Sequence, residues 1–565
     1  MSRRLMIAAG LAGVLVAGGA SVPAVASPSY DRTSTIEARR VDRVPTPRLA
    51  WTPCNEIAEC ATAALPLDYD QPNGPTTNVA VLRVKARDQA HRIGSLFINP
   101  GGPGGSATRA VLIATEIAGD AILDRFDLVG VDPRGIGDSD NLRCFASSEE
   151  QAESGEALLN TFPWGRAEER AYVAVAERVG RACSTTGRPL SGAMSTAEVA
   201  RDMDVIRRAV GDRELSYLGF SYGTELGQTY ANMFPDRVRA VVVDGVIDPI
   251  AWAGVQTGRT HILDERMHSA DGAWRAFAEI LKRCRAAGEE RCAFAAGGDP
   301  ARKWRVMVEE LRAEPLVVGD FTLTYADLVG GVLGIMYDPD AGDLLAPQLQ
   351  EIYELVTSRG DRAAQQALAL RLAAAREARA GTSMAADDYA NGIETFLGVT
   401  CTDTVEPWDA RQWIPAAERA DRRAPYFGRA WSWITAPCAG RTWTVRDEDA
   451  YRGPFTKHTK HPVLFVGSFW DPATNYDASV SASRRQPGAR LLSSNNWGHT
   501  AYGTSACADT AIEAYLVSGA LPAKGKTCTD ARQPFTGGAA ARAAKPATNR
   551  LPATPLPKSV LIGTR

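Results

Sequence analysis

The chain has 565 residues, of which 45% are hydrophobic and 23% charged, and its formal net charge is −3. This length is too great for one compact core and predicts roughly two to four domains, or one large domain with an insertion. The composition is that of a globular protein, and the sequence has no clustered basic patch, which argues against nucleic acid as a partner.

The N-terminus has the pattern of a secretory signal peptide. Two arginines precede an apolar run over 5–20, and an Ala-x-Ala cleavage site ends at Ala26. A membrane anchor is the weaker alternative, because the run is shorter than the ~20 residues of a spanning helix. We therefore predict a signal peptide over 1–26 and a secreted, extracellular protein. The polar, aperiodic segment 27–45 predicts a flexible leader or pro-segment.

Ten cysteines agree with export, because disulfides persist in oxidising compartments. No two of them have the CxxC spacing, which argues against a metal or redox motif. The sequence leaves the connectivity open, and pairing each cysteine with its nearest neighbour is the simplest prediction. The cysteines are Cys54, Cys60, Cys144, Cys183, Cys284, Cys292, Cys401, Cys438, Cys507 and Cys528.

Short apolar runs separated by helical stretches follow the leader. Such runs are typical of buried strands in a parallel sheet whose crossover helices cover both faces. The runs lie at 79–84, 95–98, 126–131, 215–218, 238–243, 462–466 and 489–492. The sequence thus predicts an α/β fold with a mostly parallel central sheet.

The alternation breaks after residue 243, where helical patterns replace the strands. These patterns lie at 270–285, 301–312, 344–356 and 361–380. We predict a large, mainly helical cap over 250–455, inserted between late sheet strands, with the sheet domain in two parts at 46–249 and 456–532. The segment 533–565 is rich in Ala, Pro, Arg and Thr and has little to bury, so we predict a disordered tail.

The segment Gly219-Phe220-Ser221-Tyr222-Gly223 fits the pattern G-x-S-x-G, which places a nucleophilic serine on a tight strand-to-helix turn. The turn exposes the serine oxygen at a helix N-terminus, where the helix dipole favours developing negative charge. A glycine-rich turn without a catalytic role is the alternative. The strand-like run before the turn and the helix-forming residues after it favour Ser221 as a nucleophile.

A serine hydroxyl is a weak nucleophile at its free pKa and needs a base. The six histidines of the chain are His91, His261, His268, His458, His461 and His499. Only the last of them follows a late strand in a glycine-flanked loop, and in open α/β sheets the chemistry gathers at the carboxyl ends of the strands. Elimination therefore predicts His499 as the base.

An acid should orient the imidazole and stabilise its charged form, and in this arrangement it lies between the serine and the histidine along the chain. Asp471 follows the run at 462–466 and begins a turn. Asp244, which follows the run at 238–243, is the rival, and Asp477 on the next helix is a weaker one. We predict Asp471 as the acid.

A glycine-rich segment, Asn99-Pro100-Gly101-Gly102-Pro103-Gly104-Gly105, follows the run at 95–98. Such a loop lets backbone N–H groups approach a reacting carbonyl. We predict an oxyanion hole formed by the N–H groups of Gly102 and Tyr222, with Gly101 as the second choice in the loop. A phosphate-binding loop is the alternative, but the Lys-Ser/Thr that completes it is missing.

Together with Asp132-Pro133-Arg134-Gly135 and Trp497-Gly498-His499, these motifs resemble the secreted tripeptidyl aminopeptidases of streptomycetes, which are prolyl-aminopeptidase-like serine peptidases. The similarity covers roughly residues 50–530. The resemblance implies an α/β-hydrolase fold with a helical cap and no cofactor. It also implies release of tripeptides from free N-termini by Ser221, Asp471 and His499. Pro100 stands where wider relatives often carry a histidine, which we interpret as a mark of the tripeptidyl branch.

An exopeptidase must also bind the ammonium group of its substrate, which needs carboxylates or carbonyls at a fixed distance from the nucleophile. Glu394, Asp403 and Glu406 flank Cys401 in the predicted cap and are the candidates. A solvated acidic loop is the alternative interpretation of these residues.

The leading hypothesis is a secreted serine exopeptidase that releases tripeptides through an acyl-enzyme. An esterase or lipase, or a prolyl aminopeptidase that releases single residues, is the alternative, since one acyl-enzyme mechanism serves esters and amides. A non-catalytic binding protein of the same fold is the remote alternative. We expect peptides with a free N-terminus as partners, a monomeric chain, and no nucleic acid, membrane, metal or cofactor.

Overall fold

The computed structural model describes residues 30–155, 158, 162–318, 321–357, 389, 392–530 and 532–536. The predicted signal peptide, the helical pattern at 361–380 and most of the predicted tail lie outside these residues. Within the described ranges, no helix is long and apolar enough to cross a membrane.

A ten-stranded sheet forms the centre of the molecule. Including a separate two-stranded sheet, the strands of the described residues are β1 Thr52–Pro53, β2 Glu59–Pro66, β3 Thr76–Val84, β4 Gly94–Asn99, β5 Phe126–Val131, β6 Leu215–Phe220, β7 Val238–Asp244, β8 Leu316–Val318, β9 Phe321–Leu323, β10 Val463–Trp470, β11 Arg490–Trp497 and β12 Thr527–Cys528. Their order across the sheet is β1-β2-β3-β5-β4-β6-β7-β10-β11-β12, and β8 pairs with β9 separately. The pairs β1-β2, β2-β3 and β3-β5 are antiparallel, and every later pair in this order is parallel. The predicted mostly parallel sheet is confirmed.

Helices alternate with the strands and also fill the long interval between β7 and β10. The helices before β7 are α1 Thr35–Asp42, α2 Ala107–Ile117, α3 Asp120–Arg125, α4 Ser148–Gly155, α5 Arg166–Thr185, α6 Thr196–Ala209 and α7 Tyr222–Met233. Those between β7 and β10 are α8 Pro249–Ala253, α9 Leu263–Met267, α10 Ser269–Ala287, α11 Pro300–Ala313, α12 Tyr325–Ile335, α13 Ala341–Thr357, α14 Ile393–Asp403, α15 Trp413–Arg423 and α16 Phe427–Ser432. Two more, α17 Tyr476–Arg485 and α18 Ala506–Ser518, follow β10 and β11. Short 3-10 helices lie at Gln89–His91, Leu190–Gly192, Pro235–Arg237, Ala293–Ala295, Ala410–Gln412 and Trp433–Cys438.

The central strands are buried on both faces, as a sheet covered by helices on both sides requires. Every residue of β4, β5 and β6 is buried. Along β6 the side chains alternate between two cores, because successive residues of a strand point to opposite faces. Tyr217 packs in the core that contains α6 and α7, and Leu218 packs in the core that contains α2 and α18.

The helices between β7 and β10 form a third core, which we call the cap. The helical patterns predicted at 270–285, 301–312 and 344–356 correspond to α10, α11 and α13. The cap also includes α5, which the predicted boundaries assigned to the sheet domain. Tyr172 of α5 packs edge-on against Trp433, and Glu169 forms an ion pair with Arg429. The cap therefore combines the interval between β7 and β10 with an earlier stretch of the chain.

The predicted flexible leader is wrong for its described part, because α1 lies within it. Ser34 caps this helix by accepting a hydrogen bond from the N–H of Glu37. Glu37 and Asp449 both form ion pairs with Arg201, whose side chain is 0% exposed. A buried guanidinium needs such partners, so Glu37 attaches α1 to a buried ion network.

The predicted disordered tail is wrong for residues 533–536. The side-chain oxygen of Gln533 accepts hydrogen bonds from Trp497 Nε1 at 3.1 Å and from Arg283 at 2.8 Å. Phe535 is buried in the cap core. This short segment therefore connects the end of β11 to the cap.

Five disulfides pair each cysteine with its nearest neighbour along the chain, which confirms the predicted connectivity. The bridges are Cys54–Cys60, Cys144–Cys183, Cys284–Cys292, Cys401–Cys438 and Cys507–Cys528. The second joins the region after β5 to α5, and the fourth joins α14 to a 3-10 helix of the cap. Both therefore stiffen the cap.

Candidate active site

Ser221 occupies a strained turn between β6 and α7. Its φ of 55° and ψ of −124° lie outside the regions that non-glycine residues ordinarily adopt. The turn is crowded: a Cβ placed on Gly219 would lie 2.4 Å from the carbonyl oxygen of Gly223. The two glycines of the motif are therefore required by contact, and the geometry is that of a nucleophile turn.

Asp471 and His499 form a buried pair at the carboxyl ends of β10 and β11. Nδ1 of His499 lies 3.0 Å from Oδ1 and 2.9 Å from Oδ2 of Asp471. The imidazole side chain is 7% exposed and the carboxylate 0%. With Nδ1 bonded to the carboxylate, Nε2 is the nitrogen that can exchange a proton with a hydroxyl.

The turn that Asp471 begins orients its carboxylate. Oδ1 accepts hydrogen bonds from the N–H groups of Ala473 at 2.8 Å and Thr474 at 2.9 Å. Oδ2 accepts one from the hydroxyl of Thr474 at 2.7 Å. The turn is predicted from the sequence, but the role of Thr474 is not, although its spacing of three residues from Asp471 is a usual signal of such a bond.

The pKa of His499 reflects two opposing effects. Burial lowers it, whereas the adjacent carboxylate of Asp471 raises it, and Asp244 adds to the rise. The net result is a pKa above the usual value of 6.5. Nε2 is buried and has no hydrogen-bond partner within the described part of the chain. The imidazole is thus a strengthened base with one free nitrogen.

The end of β7 brings the serine and the histidine to one place. The N–H of Ser221 donates to the carbonyl oxygen of Asp244 at 3.0 Å. The next residue, Gly245, is so close to the imidazole that a Cβ there would lie 3.1 Å from Cε1 of His499. Ser221 and His499 therefore flank the same strand end.

Asp244, the rival acid, has a different position. Its carboxylate accepts hydrogen bonds from the N–H groups of Ala501 at 2.9 Å and Tyr502 at 2.8 Å. Burial raises its pKa to about 6. Asp244 therefore holds the backbone that follows His499 and does not bond to the imidazole.

The glycine-rich loop lies against the nucleophile turn. A Cβ on Gly101 would lie 2.9 Å from Cβ of Ser221 and 2.8 Å from the nitrogen of Tyr222. The N–H of Gly101 itself donates to Oδ1 of Asn99 at 2.9 Å, so it is not free for a ligand. This bond favours Gly102 over Gly101 as the loop donor. Tyr222 is the first residue of α7, so its N–H has no acceptor within the helix.

Two of the three predicted amine-binding carboxylates are enclosed in structural contacts. Asp403 accepts hydrogen bonds from the N–H of Thr196 at 2.7 Å and from Nε1 of Trp252 at 3.0 Å. Glu406 forms an ion pair with Arg266 at 3.0 Å, and its side chain is 1% exposed. Burial raises the pKa of both groups. Neither carboxylate is presented to a ligand.

The third candidate, Glu394, lies beside the glycine-rich loop. It belongs to the first turn of α14, and a Cβ on Gly104 would lie 2.7 Å from the hydroxyl oxygen of the next residue, Thr395. Glu394 is buried and accepts hydrogen bonds from the hydroxyl of Tyr389 at 2.8 Å and the N–H of Cys144 at 3.3 Å. Burial raises its pKa to about 7, and the groups that oppose this rise are all neutral.

Two groups of three acidic residues are close enough to share a metal ion, counting the described residues only. They are Asp68, Asp70 and Glu448, which lie at the surface, and Glu198, Asp447 and Asp449, which are mostly buried. Arg201 lies 2.6 Å from Glu198 and 2.9 Å from Asp449, so a guanidinium already occupies the buried group. Neither group shares a residue with the site around Ser221.

Comparison with known proteins identifies related sequences. A family model described as an α/β-hydrolase fold matches residues 94–260, and one described as TAP-like protein matches residues 424–528. The chain is 30% identical to the tripeptidyl aminopeptidase of Streptomyces lividans over 559 residues, which cover 93% of this chain and 97% of that one. It is 30% identical to serine protease Hip1 of Mycobacterium tuberculosis over 85% of this chain and 90% of that one. Carboxylesterase B of the same organism is 34% identical over 93% of this chain and 98% of that one.

Proposed function

Because the chain belongs to the tripeptidyl aminopeptidase family of α/β-hydrolase serine peptidases, we propose that it releases tripeptides from free N-termini through an acyl-enzyme on Ser221. The observation that carries this proposal is the end of β7, where the strained Ser221 turn borders Asp244 and the His499–Asp471 pair borders Gly245. No other histidine among the described residues pairs with a buried aspartate in this way.

The chemistry follows from the positions of the groups. Nε2 of His499 takes the proton of the Ser221 hydroxyl as its oxygen attacks the scissile carbonyl, and it then returns that proton to the leaving amine. Asp471 holds the imidazole in the required tautomer and stabilises its charged form. The N–H groups of Gly102 and Tyr222 donate to the oxyanion, and losing one such donor typically costs about 3–4 kcal/mol of transition-state stabilisation.

Glu394 is the amine-binding residue that the geometry favours. An ammonium group three residues from the scissile bond lies roughly 10 Å from it in an extended peptide, so its partner should lie away from Ser221 itself. Glu394 precedes Thr395, which borders Gly104 near the far end of the glycine-rich loop. A carboxyl group that is buried beside neutral donors has an elevated pKa and gains most from a cationic ligand. Asp403 and Glu406 then have structural roles.

Substitution of Glu394 by Gln tests this assignment. The variant should raise KM for unblocked peptides by roughly 10–100-fold, because a charge-assisted hydrogen bond is lost. Hydrolysis of a small ester should not change, since that substrate has no ammonium group. Glu309→Gln, on an exposed cap position, is the matched control. Unchanged kinetics with both substrates would exclude Glu394 as the amine-binding residue, and equal losses with both would point to a structural role.

An esterase is the second candidate function, because carboxylesterase B of Mycobacterium tuberculosis is a relative of similar coverage. The triad serves esters and amides alike, so it does not distinguish the two. Chromogenic substrates that carry one, two or three residues, with free or acetylated N-termini, separate the candidates. A preference for three residues with a free N-terminus supports the aminopeptidase, and a preference for one residue supports a prolyl aminopeptidase. A preference for esters or blocked peptides supports the esterase.

Secretion is part of the same proposal. The signal-peptide pattern over 1–26 and the five disulfides support it, because such bridges form in oxidising compartments. Since α1 pairs with buried Arg201, the mature chain should begin before Ser34. N-terminal sequencing of the protein from culture medium checks both statements, and a mature start after Asp42 would contradict the second.

A further inference from the structure

The imidazole of His499 is enclosed by three residues, and one of them belongs to the cap. Gly245 borders Cε1, and the hydroxyl of Thr474 lies 3.5 Å from Nδ1. The third is Tyr337, which lies between α12 and α13. Its ring meets the imidazole edge-on, with centroids 5.1 Å apart and planes at 71°. This is a favourable arrangement for two aromatic rings.

The same cap residue also holds the backbone of His499. The N–H of His499 donates to the carbonyl oxygen of Tyr337 at 3.0 Å. The preceding Gly498 has a φ of +88°, and a Cβ there would lie 2.7 Å from that oxygen and 2.8 Å from the nitrogen of Pro339. The glycine before the histidine thus allows the cap to approach the histidine loop at backbone distance.

The cap segment that carries Tyr337 is itself fixed. Asp340 forms an ion pair with Arg532, and Gly342 lies against Pro534. Gln533, between these two tail residues, accepts a hydrogen bond from Trp497, which is two residues before His499. The cap segment, the tail segment and the histidine loop therefore hold one another at three points.

We propose that Tyr337 is a positioning residue for the catalytic base. Its ring restricts the imidazole to the orientation that bonds Asp471, and its carbonyl fixes the main chain of His499. This inference rests on the proposed role of His499 as the base. It means that the cap contributes to the proton transfer and not only to the choice of substrate.

The test uses reactions that need the base but not the cap's substrate contacts. These are hydrolysis of p-nitrophenyl acetate and inactivation of Ser221 by an organophosphonate. Tyr337→Ala should lower kcat for the ester and the rate of inactivation by roughly 10–100-fold, because displacing a catalytic base by about 1 Å lowers the reaction rate by that factor. KM for the ester should stay within about twofold of the wild-type value. Tyr337→Phe, which keeps the ring, should restore both rates to within about twofold of the wild-type values. Tyr353→Ala, which removes a cap tyrosine packed on Lys303, is the matched control and should resemble the wild type.

Several outcomes would overturn the inference. Ester and inactivation rates within twofold of wild type in Tyr337→Ala would show that the ring is dispensable. A loss in Tyr337→Phe equal to that in Tyr337→Ala would assign the effect to the hydroxyl instead. If Tyr337→Ala does not fold, Tyr337→Leu fills the volume without an aromatic edge and must show the same selective fall in kcat. Neither rate depends on peptide cleavage, so both test Tyr337 even if the protein proves to be an esterase.

Discussion

Two buried aspartates follow neighbouring strands of the sheet, and only their hydrogen-bond donors distinguish their roles. Asp471 bonds to the imidazole of His499, whereas Asp244 bonds to two backbone N–H groups. In the sequence the two residues have almost the same context, a short apolar run followed by a turn. The order of residues along the chain favoured Asp471, and the contacts agree with that choice.

The difference between these residues is testable by amide substitution. Asp471→Asn should lower kcat/KM by about 10⁴-fold, because the amide favours the wrong tautomer of His499. Asp244→Asn should lower it by no more than about tenfold, since an amide oxygen can still accept one of the two backbone bonds. Steady-state kinetics with a tripeptidyl chromogenic substrate measure both, and the reverse ranking would make Asp244 the catalytic acid.

The same substitution should move the pH dependence of the reaction. His499 acts as a base only when neutral, so kcat/KM should rise with pH through its pKa, which lies above the usual value. Asp471→Asn removes the neighbouring negative charge, and the acid limb of the residual activity should shift to lower pH. An unchanged limb would mean that another group controls it.

The amine-binding candidates show which properties of single residues could not be predicted from the sequence. Asp403 and Glu406 look like members of an acidic loop, but their partners Thr196 and Arg266 lie 207 and 140 residues away in the chain. Such long-range pairing leaves no local signal. The positions of Ser221 and His499 at strand ends could be predicted because glycine-flanked turns are local features.

At the scale of elements, apolar runs located most strands of the sheet and three cap helices, whereas the apolar helix α12 and the polar helix α1 were missed. The strand β5 and the helices α10, α11 and α13 match the predicted segments to within a few residues. In contrast, β11 extends to Trp497 beyond its apolar run, because parallel pairing to β10 continues through polar residues. The helix α1 was missed because it has one buried apolar residue, Val41, and is held by the ion pair of Glu37 with the distant Arg201.

The helix α10 connects the cap to Asp471, the proposed acid of the triad. Its Gly272 packs on the turn after β10, where a Cβ would lie 2.8 Å from the carbonyl oxygen of Asp471. Gly272→Ala should therefore displace Asp471, lower kcat by roughly tenfold and destabilise the fold by about 1–3 kcal/mol. Ester hydrolysis and thermal unfolding measure these effects.

Lys282→Ala, at a position on the same helix with 78% side-chain exposure, is the control and should change neither quantity. If Gly272→Ala lowers the stability but leaves kcat intact, α10 supports the cap without setting the position of the acid.

At the scale of the whole molecule, a buried ion network joins the N-terminal helix, the sheet domain and the segment before β10. Arg201 of α6 pairs with Glu37 of α1 and with Asp449. Asp447 lies beside Asp449 in this network. Burial and the neighbouring carboxylate both raise the pKa of Asp447 well above its usual range. No sequence pattern predicts this network, because its members come from three distant parts of the chain.

The network predicts a specific pH dependence of stability. Since Asp447 has a higher pKa in the folded state than in the unfolded state, its contribution is fully present below about pH 4 and is lost as the pH rises through the folded value. Asp447→Asn removes this titration, so its Tm should exceed that of the wild type by roughly 2–4 °C at about pH 8.5 and match it at about pH 4.

Asp477→Asn, where the side chain is 75% exposed, is the control and should show no such difference between the two pH values. An equal Tm for wild type and Asp447→Asn at both pH values would mean that protonation of Asp447 does not contribute to the stability of the fold.

The cap explains why domain boundaries were predicted less well than the sheet. It combines the interval between β7 and β10 with α5 and with residues 533–536. In the sequence, the long interval appears as a break in the alternation of strands and helices. The two shorter contributions are separated from it by sheet elements, and only packing in three dimensions assigns them to the cap.

We propose that Ser221 cleaves peptides from their free N-terminus in steps of three residues. The most direct measurement is mass spectrometry of the products that the protein releases from an unblocked peptide of about 12 residues. The wild type should release successive N-terminal tripeptides, and Ser221→Ala should release no products. The wild type should also leave the acetylated peptide intact. Cleavage of the acetylated peptide, products of another length, or activity that persists in Ser221→Ala would contradict this proposal.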